Sequence, residues 1–126
     1  MFRTPEVILF SEDPERAVAF YSSLGFTETF RVPREGKPIH VDLALDGYRI
    51  GIASVASSRD DHGLDPVSKG QRAAVILWTD DSTAAYSELT ARGVPGLAPP
   101  HVWLGRLKIA WVADPDGNPV QIVQRL

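Results

Sequence analysis

The sequence of 126 residues contains no cysteine, which excludes a disulfide frame, a thiolate nucleophile and a Cys-based zinc site. It also lacks an excess of basic charge. Thirteen Lys and Arg stand against 16 Asp and Glu, a net charge of −3, and the cations are scattered. A nucleic-acid binder usually carries a basic face or tail, so no nucleic-acid partner is expected. No apolar run approaches the roughly 20 residues that span a bilayer, so no membrane partner is expected either. Met1-Phe2-Arg3-Thr4-Pro5 leads straight into a strand-like segment without a signal peptide's apolar stretch, which makes a cytoplasmic location the expectation. The length suits a single domain with a real core, and 44% of the residues are hydrophobic.

What the chain does contain is an internal repeat. Val7-Ile8-Leu9-Phe10-Ser11-Glu12-Asp13 recurs as Val75-Ile76-Leu77-Trp78-Thr79-Asp80-Asp81, an offset of 68. At that offset Ala17 meets Ala85 and Gly25 meets Gly93. Six of the 20 positions from Val7 to Phe26 are then identical, where chance gives about one. Near the C-terminus the offset becomes 70, pairing Asp46-Gly47 with Asp116-Gly117 and Ile50-Gly51-Ile52 with Val120-Gln121-Ile122. A loop that differs by two residues explains the change. The chain is a duplication.

Each half reads as strand, helix, then three strands. Glu6 to Phe10 and Ala73 to Trp78 are short apolar runs that suit buried strands. Asp13 is a good N-cap, with Pro14 at the first helical position. Ala17, Phe20, Tyr21 and Leu24 then form one helical face, and Gly25 supplies the left-handed stop. In the second half Asp81 or Ser82 caps a helix that carries Ala85, Tyr86 and Leu89 and ends at Gly93. After each helix the period becomes two. Val41, Leu43 and Leu45 alternate with His40, Asp42 and Ala44, and Asp46-Gly47 turns the chain into Tyr48 to Ala53. Leu107 to Ala113 likewise leads through Asp114-Pro115-Asp116-Gly117-Asn118 into Val120 to Gln124. The expected organisation is one domain: a first module over about residues 4–55, a polar surface linker over about 56–71, and a second module over about 72–126. The fold class is α+β, two tandem βαβββ modules whose sheets curve around a cleft.

Three segments resemble the glyoxalase/bleomycin resistance protein/dioxygenase group, the vicinal oxygen chelate superfamily. They are Asp13 to Tyr21 ending in Leu24-Gly25-Phe26, Asp80-Asp81 leading to Ala84-Ala85-Tyr86, and Asp114-Pro115-Asp116-Gly117-Asn118-Pro119. The resemblance covers almost the whole chain. It implies a ligand cavity surrounded by the two modules, and often a homodimer. It also implies four metal-ligand positions, one at the start of each module's first strand and one in each module's last strand. In this sequence they fall on Glu6, Gly51, Ala74 and Gln121. Two of these have no donor side chain, and Gln121 is a neutral, poor ligand. No cofactor is therefore expected, with a divalent metal left open should His40 join the set.

Strand alternation turns Glu6, Ile8 and Phe10 to one face, and Val7 and Leu9 toward the helix. The repeat places Ala74, Ile76 and Trp78 on the matching wall. Arg49, Gly51 and Ala53, with Gln121 and Val123, face in from the last strands, and His40 and Asp42 join them if Val41 and Leu43 face the helix. The expected ligand-binding set is Glu6, Phe10, His40, Asp42, Arg49, Trp78, Trp103 and Gln121, with Glu6 and His40 the candidates for acid–base chemistry. Phe10 and Trp78 suit stacking on a planar ligand or plain core packing, and Glu6 or Asp42 suits a cationic group. No partner for His40 is evident from the sequence. His101 and Trp103 either form a flap over the pocket or cover a hydrophobic edge, His62 is solvated in the linker, and Asp114 to Asn118 is turn chemistry.

The leading expectation is a metal-free protein that sequesters a small, aromatic molecule, as in the bleomycin-resistance branch. The alternative is a metal-dependent glyoxalase-like lyase, isomerase or dioxygenase with an atypical ligand set built from Glu6, His40 and Gln121. A third is an interaction module whose cleft is filled by its own side chains.

Overall fold

A computed structural model of the protein describes residues 1, 3–67 and 70–126. The chain divides into two compact units, Met1–Ser68 and Lys69–Leu126. The first runs β1 (Val7–Ser11), α1 (Pro14–Ser23), β2 (Thr27–Val32), β3 (His40–Leu45), β4 (Tyr48–Ser54) and α2 (Val55–His62). The second runs β5 (Val75–Trp78), α3 (Ser82–Ala91), β6 (Gly96–Trp103), β7 (Leu107–Ala113) and β8 (Pro119–Arg125). Strand orders are β1-β4-β3-β2 and β5-β8-β7-β6. In each sheet the first strand lies parallel to the last and the remaining neighbours are antiparallel. These are two α+β modules of one topology, as the repeat implies.

Capping starts each first helix. The Asp13 carboxylate accepts the Arg16 N–H at 3.3 Å, and the Asp81 carboxylate accepts the Ala84 N–H at 2.9 Å. Pro14 at the first turn leaves no N–H to satisfy. α1 buries Ala17, Val18 and Tyr21, with Phe20 and Leu24 half-buried at the margin of that stripe. It packs on β3, β4 and β2, where Val41, Leu43 and Ile52 are buried. Tyr21 meets both Phe20 and Phe26 edge to face. α3 packs on β7, β6 and β8, over buried Ala110, Val112, Val120 and Ile122. Only Ser82 of α3 is fully buried, and Ala85, Tyr86 and Leu89 are half-buried. Tyr86 closes on the backbone of Gly96, where a Cβ would lie 2.2 Å from its hydroxyl.

The turns differ between modules. Asp46 and Gly47 both take positive φ, 50° and 81°, the tight two-residue hairpin turn that suits twisted strands. In the second module Asp114 organises a longer turn. Its carboxylate accepts the N–H groups of Asp116 and Asn118 at 2.9 and 2.8 Å and the Asn118 side-chain amide at 3.0 Å. Asp114 and Asn118 are buried and Gly117 has φ 86°, so the segment is turn chemistry.

Three sequence expectations need correction. The stretch at about 56–71 is not plain linker, because most of α2 falls in it. Ser54 caps α2 by accepting the Ser57 N–H at 3.2 Å, and Gly63 ends it in the left-handed conformation. Its polar sequence buries only Val55 and Ser58, too few apolar positions to register as a periodic face. Val7 does not turn into the helix layer as Leu9 does; it is exposed at the end of β1. β5 starts at Val75, so Ala74 lies just before it, as Glu6 lies just before β1.

Candidate functional site

The face of the first sheet away from α1 collects the chemistry. Strand register sets two rows across it. Ile8, Gly51 and Asp42 are paired neighbours on β1, β4 and β3; Phe10, Ala53 and His40 form the next row. With Val41 and Leu43 committed to α1, alternation leaves His40 and Asp42 together on the opposite face.

The two side chains meet directly. His40 Nε2–H donates to Asp42 Oδ1 at 2.6 Å, the tautomer an ionised carboxylate requires. Asp42 is therefore the partner of His40 that the sequence alone did not identify. Glu6 joins from the entry to β1, and one donor atom from each of Glu6, His40 and Asp42 lies within 4.8 Å of the others. Arg49, at the start of β4, brings Nη2 to 3.9 Å from Glu6 Oε2, a loose and partly exposed pairing.

Glycine at position 51 eases this convergence. A Cβ at position 51 would lie 3.1 Å from Glu6 Oε1, 3.1 Å from Ile8 and 3.2 Å from His40 Cε1. The space a side chain would take is filled by the carboxylate and the imidazole. Glu6 Oε1 is buried there and receives no hydrogen bond. Its acidic neighbour Asp42 is within hydrogen-bond reach, but two ionised carboxylates are both acceptors, so a proton or another cation must lie between them. That contact with Asp42, burial and the Asp42 charge push the Glu6 carboxyl above its usual range, against the pull of Arg49 and His40. Burial is the largest single influence on Asp42 and raises it. Hydrogen bonds with Glu6 and His40, and the Arg49 charge, outweigh burial and hold Asp42 below its usual range.

Beside the cluster lies a pocket of about 340 Å³ bordered by Ile8, Phe10, Ile39, Ala53 and Leu64, with His40 in its wall. Helix α2 supplies Ser57, Ser58 and His62 to the same pocket. The sequence reading missed these residues because it took their segment as linker. The Ser54 and Gly63 caps were the available signal. His62 is exposed, as expected, yet it borders the pocket.

The second module places its expected residues differently. By register Ile76, Gln121 and Trp111 form one row, and Trp78, Val123 and Ile109 the next. Trp78 is exposed and its ring lies under the Arg125 guanidinium, 4.9 Å from the centroid. Gln121 is half-buried. His101 and Trp103 lie on edge strand β6, where the His101 ring donates to the Pro99 carbonyl at 2.8 Å and Trp103 is exposed. Glu6, His40, Asp42 and Arg49 thus converge in the first module, with Phe10 along the pocket beside them. Gly51 and Ala74 offer no side-chain donor, so the four positions implied by the resemblance do not make a metal site by themselves.

The pattern of the glyoxalase/bleomycin resistance protein/dioxygenase superfamily matches residues 3–122. Among solved structures, a member of that superfamily from Sphaerobacter thermophilus is 28% identical, with a TM-score of 0.72, covering 99% of this chain and 98% of that one. TioX from Micromonospora sp. ML1 is 23% identical at a TM-score of 0.77, covering 99% of this chain and 100% of that one. A lactoylglutathione lyase from Agrobacterium tumefaciens is 18% identical at a TM-score of 0.73, covering 97% and 92%. No curated protein matches the chain in sequence.

Proposed function

The chain belongs to the glyoxalase/bleomycin resistance protein/dioxygenase superfamily, and within it we propose that the protein binds a small, largely apolar molecule in the first module. The observation that carries this reading is the pocket between β1, β3, β4 and α2, which ends on the imidazole of a hydrogen-bonded His40–Asp42 pair. Its volume is at the small end of what ligand sites use, and an apolar wall with a few polar groups is their usual composition. Phe10 gives a ring for a planar ligand. His40 and the two carboxylates give a polar end that suits a cationic or hydrogen-bonding group. Sequestration of such a molecule, the antibiotic-binding role of the bleomycin-resistance type, is the form this function takes in our reading.

Thermal shift and isothermal titration against a panel of planar and cationic small molecules test it. Saturable 1:1 binding that Ala53→Trp abolishes is the expected result; no binder across the panel overturns it. We also propose that the chain works as a homodimer in the cytoplasm. Exposed Val102, Trp103 and Leu104, at the end of β6 and just beyond it, offer apolar surface for a second copy, and light scattering coupled to gel filtration checks the mass.

One observation favours a second reading, a metal-dependent lyase, isomerase or dioxygenase. Glu6, His40 and Asp42 offer three convergent donors that the four superfamily positions alone do not provide. A bound divalent ion supplies Lewis acidity toward a substrate oxygen. Glu6, His40 and Asp42 would hold the ion, and the pocket beside them would exclude water from the reacting centre.

A further inference from the structure

We infer that Glu6, His40 and Asp42 bind a divalent metal ion, through a ligand set drawn from β3 and the entry to β1 within the first module. Three observations support it. The donors are two carboxylate oxygens and an imidazole nitrogen within 4.8 Å of one another, the oxygen and nitrogen chemistry that zinc, iron and manganese accept. Glu6 Oε1 is buried with no donor directed at it, and its acidic neighbour is another acceptor, so the pair has an electrostatic need for a cation. Gly51 stands where the superfamily expects a ligand. A Cβ there would press on Glu6 Oε1 and His40 Cε1 at 3.1 and 3.2 Å. The glycine leaves those two groups room that a side chain would press into.

The set is a relocation. A last-strand ligand would come from β4, but here the neighbouring strand β3 supplies two donors at residues i and i+2, on one face by the period of a strand. Side chains of this cluster all come from the first module. A metal here does not need the pocket to hold an organic ligand, so the two readings can fail separately.

The test uses the whole chain, stripped with chelator and dialysed, then titrated with Co²⁺ and Zn²⁺. The expected result is one equivalent of Co²⁺ with visible d–d absorption bands, displaced by Zn²⁺. His40→Ala and Asp42→Asn should each weaken binding at least about tenfold, the effect of losing one ligand. Circular dichroism of each variant checks that the sheet is intact. Gln121→Ala should leave the affinity within about twofold, because its side chain is outside the set. Absence of a bound ion in folded wild-type protein overturns the inference. So does binding that survives both His40→Ala and Asp42→Asn, or binding that Gln121→Ala abolishes, which returns the ion to the superfamily positions.

Discussion

The two modules share a strand order and a register, and they differ at the same places. Where the first has Asp42, Gly51 and Ile8 in a row, the second has Trp111, Gln121 and Ile76. Where the first has His40, Ala53 and Phe10, the second has Ile109, Val123 and Trp78. Small residues at 51 and 53 leave room on the first sheet for two polar side chains and a pocket. Bulkier residues, Gln121 and Val123, stand at the equivalent positions on the second, where Ile109 and Val123 are buried. One duplicated scaffold thus separates its tasks. The second module's Asp114 serves a turn; the first module's Glu6, His40 and Asp42 face one another and serve no turn.

That division predicts opposite responses to substitution. Asp114→Ala removes an acceptor of three hydrogen bonds, two of them from the buried Asn118, so it should destabilise the fold by about 3 kcal/mol or more. Denaturant unfolding measures the loss, and metal affinity of the folded fraction should stay unchanged. A loss below about 1 kcal/mol breaks the view of Asp114 as the structural counterpart of the first module's cluster. Next in size is Gly51→Gln, which gives the first module the second module's residue. Its Cβ must displace Glu6, Ile8 or His40, an overpacking cost of about 1–3 kcal/mol. Co²⁺ affinity should fall with it. Retained affinity would mean the cluster does not depend on the empty volume.

Much of this contrast was legible in the sequence, for identifiable physical reasons. The repeat gave both sheets, because Val-Ile-Leu runs and Asp caps are local signals that duplication doubles. It also placed Glu6 opposite Ala74 and Gly51 opposite Gln121, and the strand register bears out both offsets. The His40–Asp42 pairing was half visible: alternation put both on one face, but whether two side chains at i and i+2 touch depends on rotamers and on what lies across β4. That depended on Gly51, whose lack of a side chain read as a lost ligand when it is also a gained space. Helix α2 was hidden because its stability comes from Ser54 and Gly63 at its ends and two buried side chains, with no apolar periodicity to see.

The smaller predictions sharpen the comparison on charge. Glu6 holds its proton more tightly folded than unfolded, so its contribution to stability is fully present below its ordinary value of 4.5 and is lost as pH rises through the raised folded value. Asp42 has the opposite sign: its contribution is present above its ordinary value of 3.8 and is lost as pH falls through the lowered folded value. Glu6→Gln keeps a donor toward Asp42 and removes the ionisation. It should raise stability by about 1 kcal/mol at neutral pH and flatten the decline above pH 4.5 in metal-free protein. Equal pH profiles for the two proteins would show that Glu6 is not held in this contact.

The second module offers the control of smallest expected effect. Arg125 lies over the exposed face of Trp78, so Arg125→Ala removes one cation–π contact worth about 0.5–1 kcal/mol at an exposed site. Nothing in that contact needs a ligand: the ring already has its cation from the same module, whereas Glu6 has only a loosely placed Arg49 as an arginine partner among the described residues. Arg49→Gln should therefore tighten Co²⁺ binding by a few-fold, by removing a competing positive charge 3.9 Å from Glu6, while Arg125→Ala leaves it unchanged. If both substitutions change the affinity equally, the effect is one of net charge alone, and the polar cluster has no special claim on the ion.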